Sequence, residues 1–191
     1  VLDKLGLPAP GFRKISVELL KQGSEEEIQQ SIANLQYPLI SKPLDKYGSR
    51  GIFIIHRSDE VRKKALQTAE YTDCQEILVE EYNDGYEFNM MTWVMDGKVN
   101  VISIADREKT EMEVEKSATD ILQNYIRYTG QTEGALSMQF FWKPGRGIQV
   151  CEIAGRFFGY EHELTDMVYG FQTEELLLDY LYEKDRIKEM F

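Results

Sequence analysis

Cysteine and histidine are nearly absent, with two of each in 191 residues: Cys74, Cys151, His56 and His162. The two cysteines lack any metal-ligand spacing, and two histidines argue against a histidine-rich metal site. The scarcity of cysteine also makes a disulfide scaffold unnecessary and a reduced, cytoplasmic setting the expectation. Basic residues are short as well, 22 Lys and Arg against 33 Asp and Glu, for a net charge of −11. That balance argues against a nucleic-acid or anionic-membrane surface. It leaves phosphate ligands open, because a few local cations and backbone N–H groups can hold one. No apolar run approaches the roughly 18 residues of a membrane span, and no secretory leader pattern opens the chain.

The remaining composition, 42% apolar, 12% aromatic and 29% charged, describes a globular chain. A 22.2 kDa chain of this length corresponds to one or two domains and buries enough surface to need no staples. Val1–Leu5 reads as the end of a helix, closed by Gly6 and the prolines Pro8 and Pro10. A chain that opens inside a helix is expected to be part of a longer protein.

Ser24 followed by Glu27 is a capping box, and Ile28, Ile32 and Leu35 continue at helical spacing. A weak strand over 12–15, a buried strand over 37–42 halted by Pro43, and strands over 52–55 and 77–80 are expected. Ser58 is read as the cap of a helix carrying Val61, Ala65 and Ala69 on one face. Asp96-Gly97 is a strong hairpin turn, and Val114, Ala118, Leu122 and Ile126 mark an amphipathic helix. Residues 136–142 and 148–153 flank Pro144-Gly145-Arg146-Gly147 as a second hairpin, and helices over 161–169 and 173–188 follow. The order gives two α+β halves, 1–82 and 83–191.

Four features depart from a plain pattern of core and surface. Lys42 ends an apolar strand, where it either snorkels to water or meets an anion. Gly48-Ser49-Arg50-Gly51 is either a simple turn or a loop whose N–H groups converge on phosphate. Glu80, Glu81 and Tyr82, with Glu87 beyond Asn83-Asp84-Gly85, are either a solvated strand end or the rim of a ligand cleft. Finally, a hairpin symmetric about the Gly145–Arg146 bond sets Gln139 opposite Glu152, on the face of Ile148 and Val150. Such a pair is either two oxygen ligands for Mg²⁺ or a buried hydrogen bond, and a one-residue bulge would undo the pairing.

These stretches together resemble the ATP-grasp superfamily of carboxylate–amine ligases over nearly the whole chain. The carriers are Tyr37–Pro43 with Gly48–Gly51, Ile77–Tyr82 with Gly85-Tyr86-Glu87, Gln139-Phe140, and Cys151–Arg156. Glutamine rather than an acid at 139 is similar to carbamoyl-phosphate synthase large subunits. The resemblance implies an α+β ATP-grasp fold, two subdomains (1–82 and 83–191) with a nucleotide cleft between them. It implies ATP with Mg²⁺ or Mn²⁺ as cofactor, and a reaction in which a carboxylate is phosphorylated and the acyl phosphate is attacked by an amine or ammonia. Lys42 then contacts the phosphates, and Gly48, Ser49, Arg50 and Gly51 cover them. Glu80, Glu81 and Tyr82 line the adenine edge, chiefly through backbone groups, and Glu87 binds the ribose. Gln139 and Glu152 ligate metal, and Arg156 stands beside the transferred group, making Arg156 and Lys42 the catalytic candidates.

Two departures stand out. Ala154 replaces the asparagine usual two residues after the metal-binding glutamate, and a preceding domain of the same protein is expected but lies outside this chain. The junction over 106–111 is shorter than the family's. The leading reading is therefore a truncated ligase domain. A nucleotide-binding module without independent turnover, or a structural domain whose Gln139–Glu152 pair satisfies itself, are the alternatives.

Overall fold

The computed structural model describes residues 2–106, 112–159, 161–170 and 172–191, apart from the side chains of Asp106 and Met112. The junction expected to be short, at residues 107–111, lies outside the described residues. Two compact units emerge: a first of Pro10–Asn83, and a second of Val1–Ala9 with Asp84–Phe191. The expected halves of 1–82 and 83–191 differ from these units mainly in the first nine residues. The second unit holds them because Val150 N–H donates to the Pro8 carbonyl at 2.8 Å and Leu2 packs against its core.

In the first unit, β1 (Phe12–Ser16), β2 (Leu39–Pro43), β3 (Phe53–Ile55) and β4 (Glu76–Glu81) form an antiparallel sheet ordered β1-β4-β2-β3. Period-2 alternation sends Ile15, Leu39, Ile55, Ile77 and Val79 to one face, where they form a core with Leu20, Ile28, Val61 and Ala65. Those last four lie on α1 (Val17–Gln22), α2 (Glu25–Ser31) and α3 (Val61–Ala69). Each fully buried aliphatic side chain contributes on the order of 1.5–3 kcal/mol. The α2 capping box is present, with Glu27 N–H donating to Ser24 Oγ and Ser24 N–H to Glu27 Oε2. Helix α1 had no sequence expectation, although Ser16 caps it by accepting from Leu19 N–H. Ser58 is not a side-chain cap; it opens a 3₁₀ turn, Ser58–Glu60, that leads into α3.

The second unit carries β5 (Tyr86–Met95), β6 (Lys98–Asp106), β7 (Gly134–Lys143) and β8 (Gly147–Ala154), in the order β6-β5-β7-β8. Asp96 and Gly97 both take positive φ, 50° and 72°, as a two-residue hairpin turn requires. Helix α4 (Met112–Thr129) lays Val114, Ala118, Leu122 and Ile126 on one face of the sheet, against Phe88, Met90, Met138, Phe140 and Val150. Helices α5 (His162–Tyr169), α6 (Thr173–Tyr182) and α7 (Lys184–Met190) follow. The single helix expected over 173–188 is interrupted at Glu183, whose φ of −138° and ψ of 53° leave the helical region. On the other face, Trp93 packs with Leu176 of α6 and Ile187 of α7. Among the described residues, no helix is long and apolar enough to cross a membrane.

Candidate functional site

In the first unit, Ile40 and Lys42 of β2 alternate away from the helix-covered face, as does Glu80 of β4. Lys42 pairs with Leu78 and Glu80 with Ile40, so the two charged side chains sit diagonally across adjacent strands. Lys42 Nζ forms an ion pair with Glu80 Oε1, their side chains 23% and 16% exposed. The half-buried amine has met an anion, and that anion belongs to the chain itself.

Beyond β2, Gly48, Ser49 and Gly51 all adopt left-handed backbone, with φ of 68°, 59° and 73°. Gly48 to Arg50 are exposed, but Gly51 is buried. A Cβ on Gly51 would stand 2.5 Å from Tyr71 Cβ and 2.9 Å from Pro43 Cγ, so both conformation and packing require glycine there. Glu81 N–H donates to the Gly11 carbonyl at 2.9 Å and Tyr82 N–H to the Pro38 carbonyl at 2.9 Å. Glu81 Oε1 also accepts from Gln36 N–H at 3.0 Å. These two N–H groups are therefore engaged within the fold, where they extend the pairings of β4 with β1 and with β2.

The second unit assembles Glu87, Gln139, Glu152 and Arg156. Gln139 lies directly opposite Glu152 across β7 and β8, as expected, but by a different route. Near the tip the pairs are Lys143–Gly147, Trp142–Ile148, Phe141–Gln149 and Phe140–Val150, one residue out of the expected register. A bulge between Gln139 and Phe140 adds Cys151 on β8 and restores Glu152 to Gln139. The bulge thus creates the pairing that it was expected to destroy.

It also moves Glu152 to the opposite face. Ile148 and Val150 point into the core, whereas Glu152, partnered with Gln139, is on the polar face and its side chain is 46% exposed. The expectation that Glu152 shares a face with Ile148 and Val150 is corrected: continuous alternation fails at the extra residue. Gln139 Nε2 donates to Glu87 Oε1 at 2.6 Å, and Arg156 Nη2 lies 3.5 Å from Glu152 Oε1. Arg156 also donates to the Phe157 carbonyl at 3.2 Å and lies over the Phe158 ring at 5.7 Å. Glu87, Gln139 and Glu152 follow one another across one sheet face, and Arg156, just beyond β8, closes the string on Glu152.

Gln139 and Glu152 supply oxygen donors suited to a hard divalent cation. Among the described residues, no cluster of three or more His, Cys, Asp or Glu could hold a metal by itself. Ala154, opposite Ser137, has no donor atom. The donor set therefore fits a cation only when a ligand such as phosphate completes the shell.

Deeper on the same face are polar groups that sequence reasoning missed. Glu161 is 6% exposed, and its Oε2 has no hydrogen-bond partner. Burial, above all, holds its carboxyl higher than the ordinary value; the charge of Glu87 acts in the same direction, and a hydrogen bond from Asn89 opposes both. Tyr160-Glu161-His162-Glu163 reads as the solvated start of a helix, and nothing in the pattern marks Glu161 as interior.

A family model for the D-ala D-ala ligase C-terminus matches residues 1–158. No curated protein sequence matches the chain. Among solved structures, an L-amino acid ligase from Bacillus licheniformis superposes with a TM-score of 0.70 at 18% identity, covering 93% of this chain and 44% of that one. A biotin carboxylase–ATP complex from Campylobacter jejuni gives 0.74 at 14%, covering 93% and 43%. VanG D-Ala:D-Ser ligase from Enterococcus faecalis gives 0.65 at 21%, covering 81% and 49%. The chain therefore spans less than half the length of each of these three structures, and the likeness establishes the fold. With two antiparallel α+β units and a family match over most of its length, the chain belongs to the D-Ala–D-Ala ligase C-terminal family of ATP-grasp proteins.

Proposed function

We propose that the chain is the ATP-binding portion of a ligase that couples ATP cleavage to joining a carboxylate and an amine. The observation that carries this reading is the string Glu87–Gln139–Glu152–Arg156, which places two oxygen donors and a guanidinium on one exposed sheet face. In the reaction, a carboxylate oxygen bonds to the terminal phosphorus of ATP and ADP leaves. The amine nitrogen then bonds to the acyl carbon and phosphate departs. Lys42 neutralises phosphate charge, and Glu80 orients its ammonium. The backbone of Gly48, Ser49, Arg50 and Gly51 covers the phosphates, and Glu87 receives the ribose hydroxyls.

Adenine is assigned to the strand end at Glu80, Glu81 and Tyr82, read by groups other than the engaged N–H donors of Glu81 and Tyr82. Gln139 and Glu152 hold Mg²⁺ or Mn²⁺ together with the phosphates, and the ion supplies charge neutralisation there. Arg156 steadies the transferred group. The glutamine at 139 supports a variant like carbamoyl-phosphate synthase, with a preceding domain of the same protein completing the substrate contacts. Ala154 favours a second reading, nucleotide binding without independent turnover, and carboxylate-dependent phosphate release by the parent protein separates the two.

Calorimetry with Mg-ATP tests the assignment. Lys42→Ala is expected to weaken binding at least tenfold, about 1.4 kcal/mol, and equal affinities would overturn the phosphate role. In manganese titrations with a non-hydrolysable ATP analogue, Glu152→Ala should abolish nucleotide-dependent metal binding. Gln139→Ala should weaken it, and Ala154→Asn should strengthen it.

A further inference from the structure

The second unit contains a cavity of about 170 Å³ lined by Ser103, Ile104, Ala105, Glu161, Leu164 and Val168, with Thr165 and Tyr169 beside them. Two polar side chains in its wall are almost fully buried, Ser103 at 5% and Glu161 at 6% exposure. Ser103 Oγ and Glu161 Oε2 both lack hydrogen-bond partners, as does Oδ1 of Asn89, the residue whose amide bonds to Glu161. The Thr165 hydroxyl is already committed, donating to the Glu161 carbonyl at 2.9 Å. What remains is one carboxyl oxygen of Glu161 and the Asn89 amide oxygen without donors, beside a Ser103 hydroxyl without a partner, at a site where each unmet buried group costs roughly 1–3 kcal/mol.

A small donor-rich cation would satisfy both oxygens. The rest of the wall is mainly apolar, Ile104, Ala105, Leu164 and Val168 with Thr165 and the Tyr169 ring, so the cation carries an apolar body. The volume is close to the roughly 150 Å³ at which an apolar cavity takes up benzene, and it accommodates a body of a few carbons on the side away from solvent. We propose that the cavity binds a small aliphatic amine in its ammonium form, with the Glu161 carboxylate as counter-ion and Ser103 Oγ as a second acceptor. Building on the ligase reading, this makes the cavity the docking place of the amine reactant and assigns that reactant a short aliphatic group. Glu161 then accepts a proton from the ammonium, leaving the free amine and a neutral carboxyl, and burial favours that direction.

The test is an amide-resolved NMR titration of the whole chain with isobutylamine and with its neutral analogue isobutanol. Isobutylamine should shift the signals of Ser103, Ala105 and Thr165 saturably. Glu161→Gln should weaken that binding at least tenfold, and isobutanol should bind at least tenfold more weakly than the amine to wild type. Leu164→Phe, which fills the cavity and leaves the carboxylate in place, should also abolish amine binding. Equal affinity of amine and alcohol, equal affinity in wild type and Glu161→Gln, or saturable shifts of the same signals by potassium or magnesium chloride would each overturn the inference. Mg-ATP calorimetry on the same samples keeps the readings apart. Normal ATP binding without amine selectivity removes only the cavity assignment, and loss of ATP binding in wild type removes the ligase reading itself.

Discussion

Lys42 and Glu161 are both charged side chains withdrawn from water, and they resolve the cost differently. Lys42 takes Glu80 as its partner within the sheet, whereas Glu161 has one amide hydrogen bond and an oxygen with none. The consequence for stability has a definite sign. Above the ordinary value of 4.5, the unfolded chain releases the Glu161 proton while the folded chain still holds it. Stability therefore falls as pH rises from that value through the raised folded one. Glu161→Gln removes the titration and keeps the shape. The variant is expected to melt above wild type at about pH 7.5, with the difference vanishing near pH 4. An equal gain at both pH values, measured by thermal denaturation, would assign it to packing instead.

At the scale of elements, α1, α2 and α3 converge on one side chain. Arg62 of α3 donates to the Leu20 carbonyl at 2.6 Å and the Gly23 carbonyl at 2.6 Å, and pairs with Glu25 at the start of α2. Three partners from two helices and their junction match the planar fork of a guanidinium, which an ammonium cannot reproduce. Arg62→Ala is expected to cost about 2 kcal/mol in denaturant unfolding, with Arg62→Lys recovering less than half.

Much of the element pattern was legible beforehand because it rests on local rules. The α2 capping box, the Asp96-Gly97 turn and the four-residue spacing of Val114, Ala118, Leu122 and Ile126 all act within a few residues. Helix α1 was missed because its six residues, Val17–Gln22, are too few for a period to show. The strand β8 is more instructive. Gln139 meets Glu152 through two offsets that cancel: a tip centred one half-residue earlier than expected, and an extra residue at Cys151. Neither is visible in composition, since the bulge follows from which face each end of the strand must bury. Glu161 was unreadable for a related reason, since its burial depends on residues distant in sequence.

On the scale of the whole molecule, the two units use their sheets differently. The first unit collects one core on one face and leaves Lys42 and Glu80 on the other. The second buries apolar clusters on both faces near Trp93, and on only one near Glu87. Trp93 is fully buried between Tyr180, at a ring distance of 5.1 Å, and Phe157, at 6.1 Å. Trp93→Ala is therefore expected to destabilise the second unit by roughly 3–5 kcal/mol in denaturant unfolding. A loss below about 1 kcal/mol would show that α6 and α7 are not held by that contact.

The one-sided cover near Glu87 has a kinetic counterpart along a single strand. From Phe88 to Val94, β5 is paired on both sides, with β6 and with β7, so the amides of that stretch differ mainly in what lies above and below them. Those of Trp93 and Val94 sit between two apolar layers and exchange with deuterium only when the second unit opens globally. Those of Phe88 and Asn89 have one layer and a polar rim, and exchange through smaller local openings. Protection is expected to rise by orders of magnitude from the Phe88 end of β5 to the Val94 end, so that a single ten-residue strand joins a rigid base to a yielding edge.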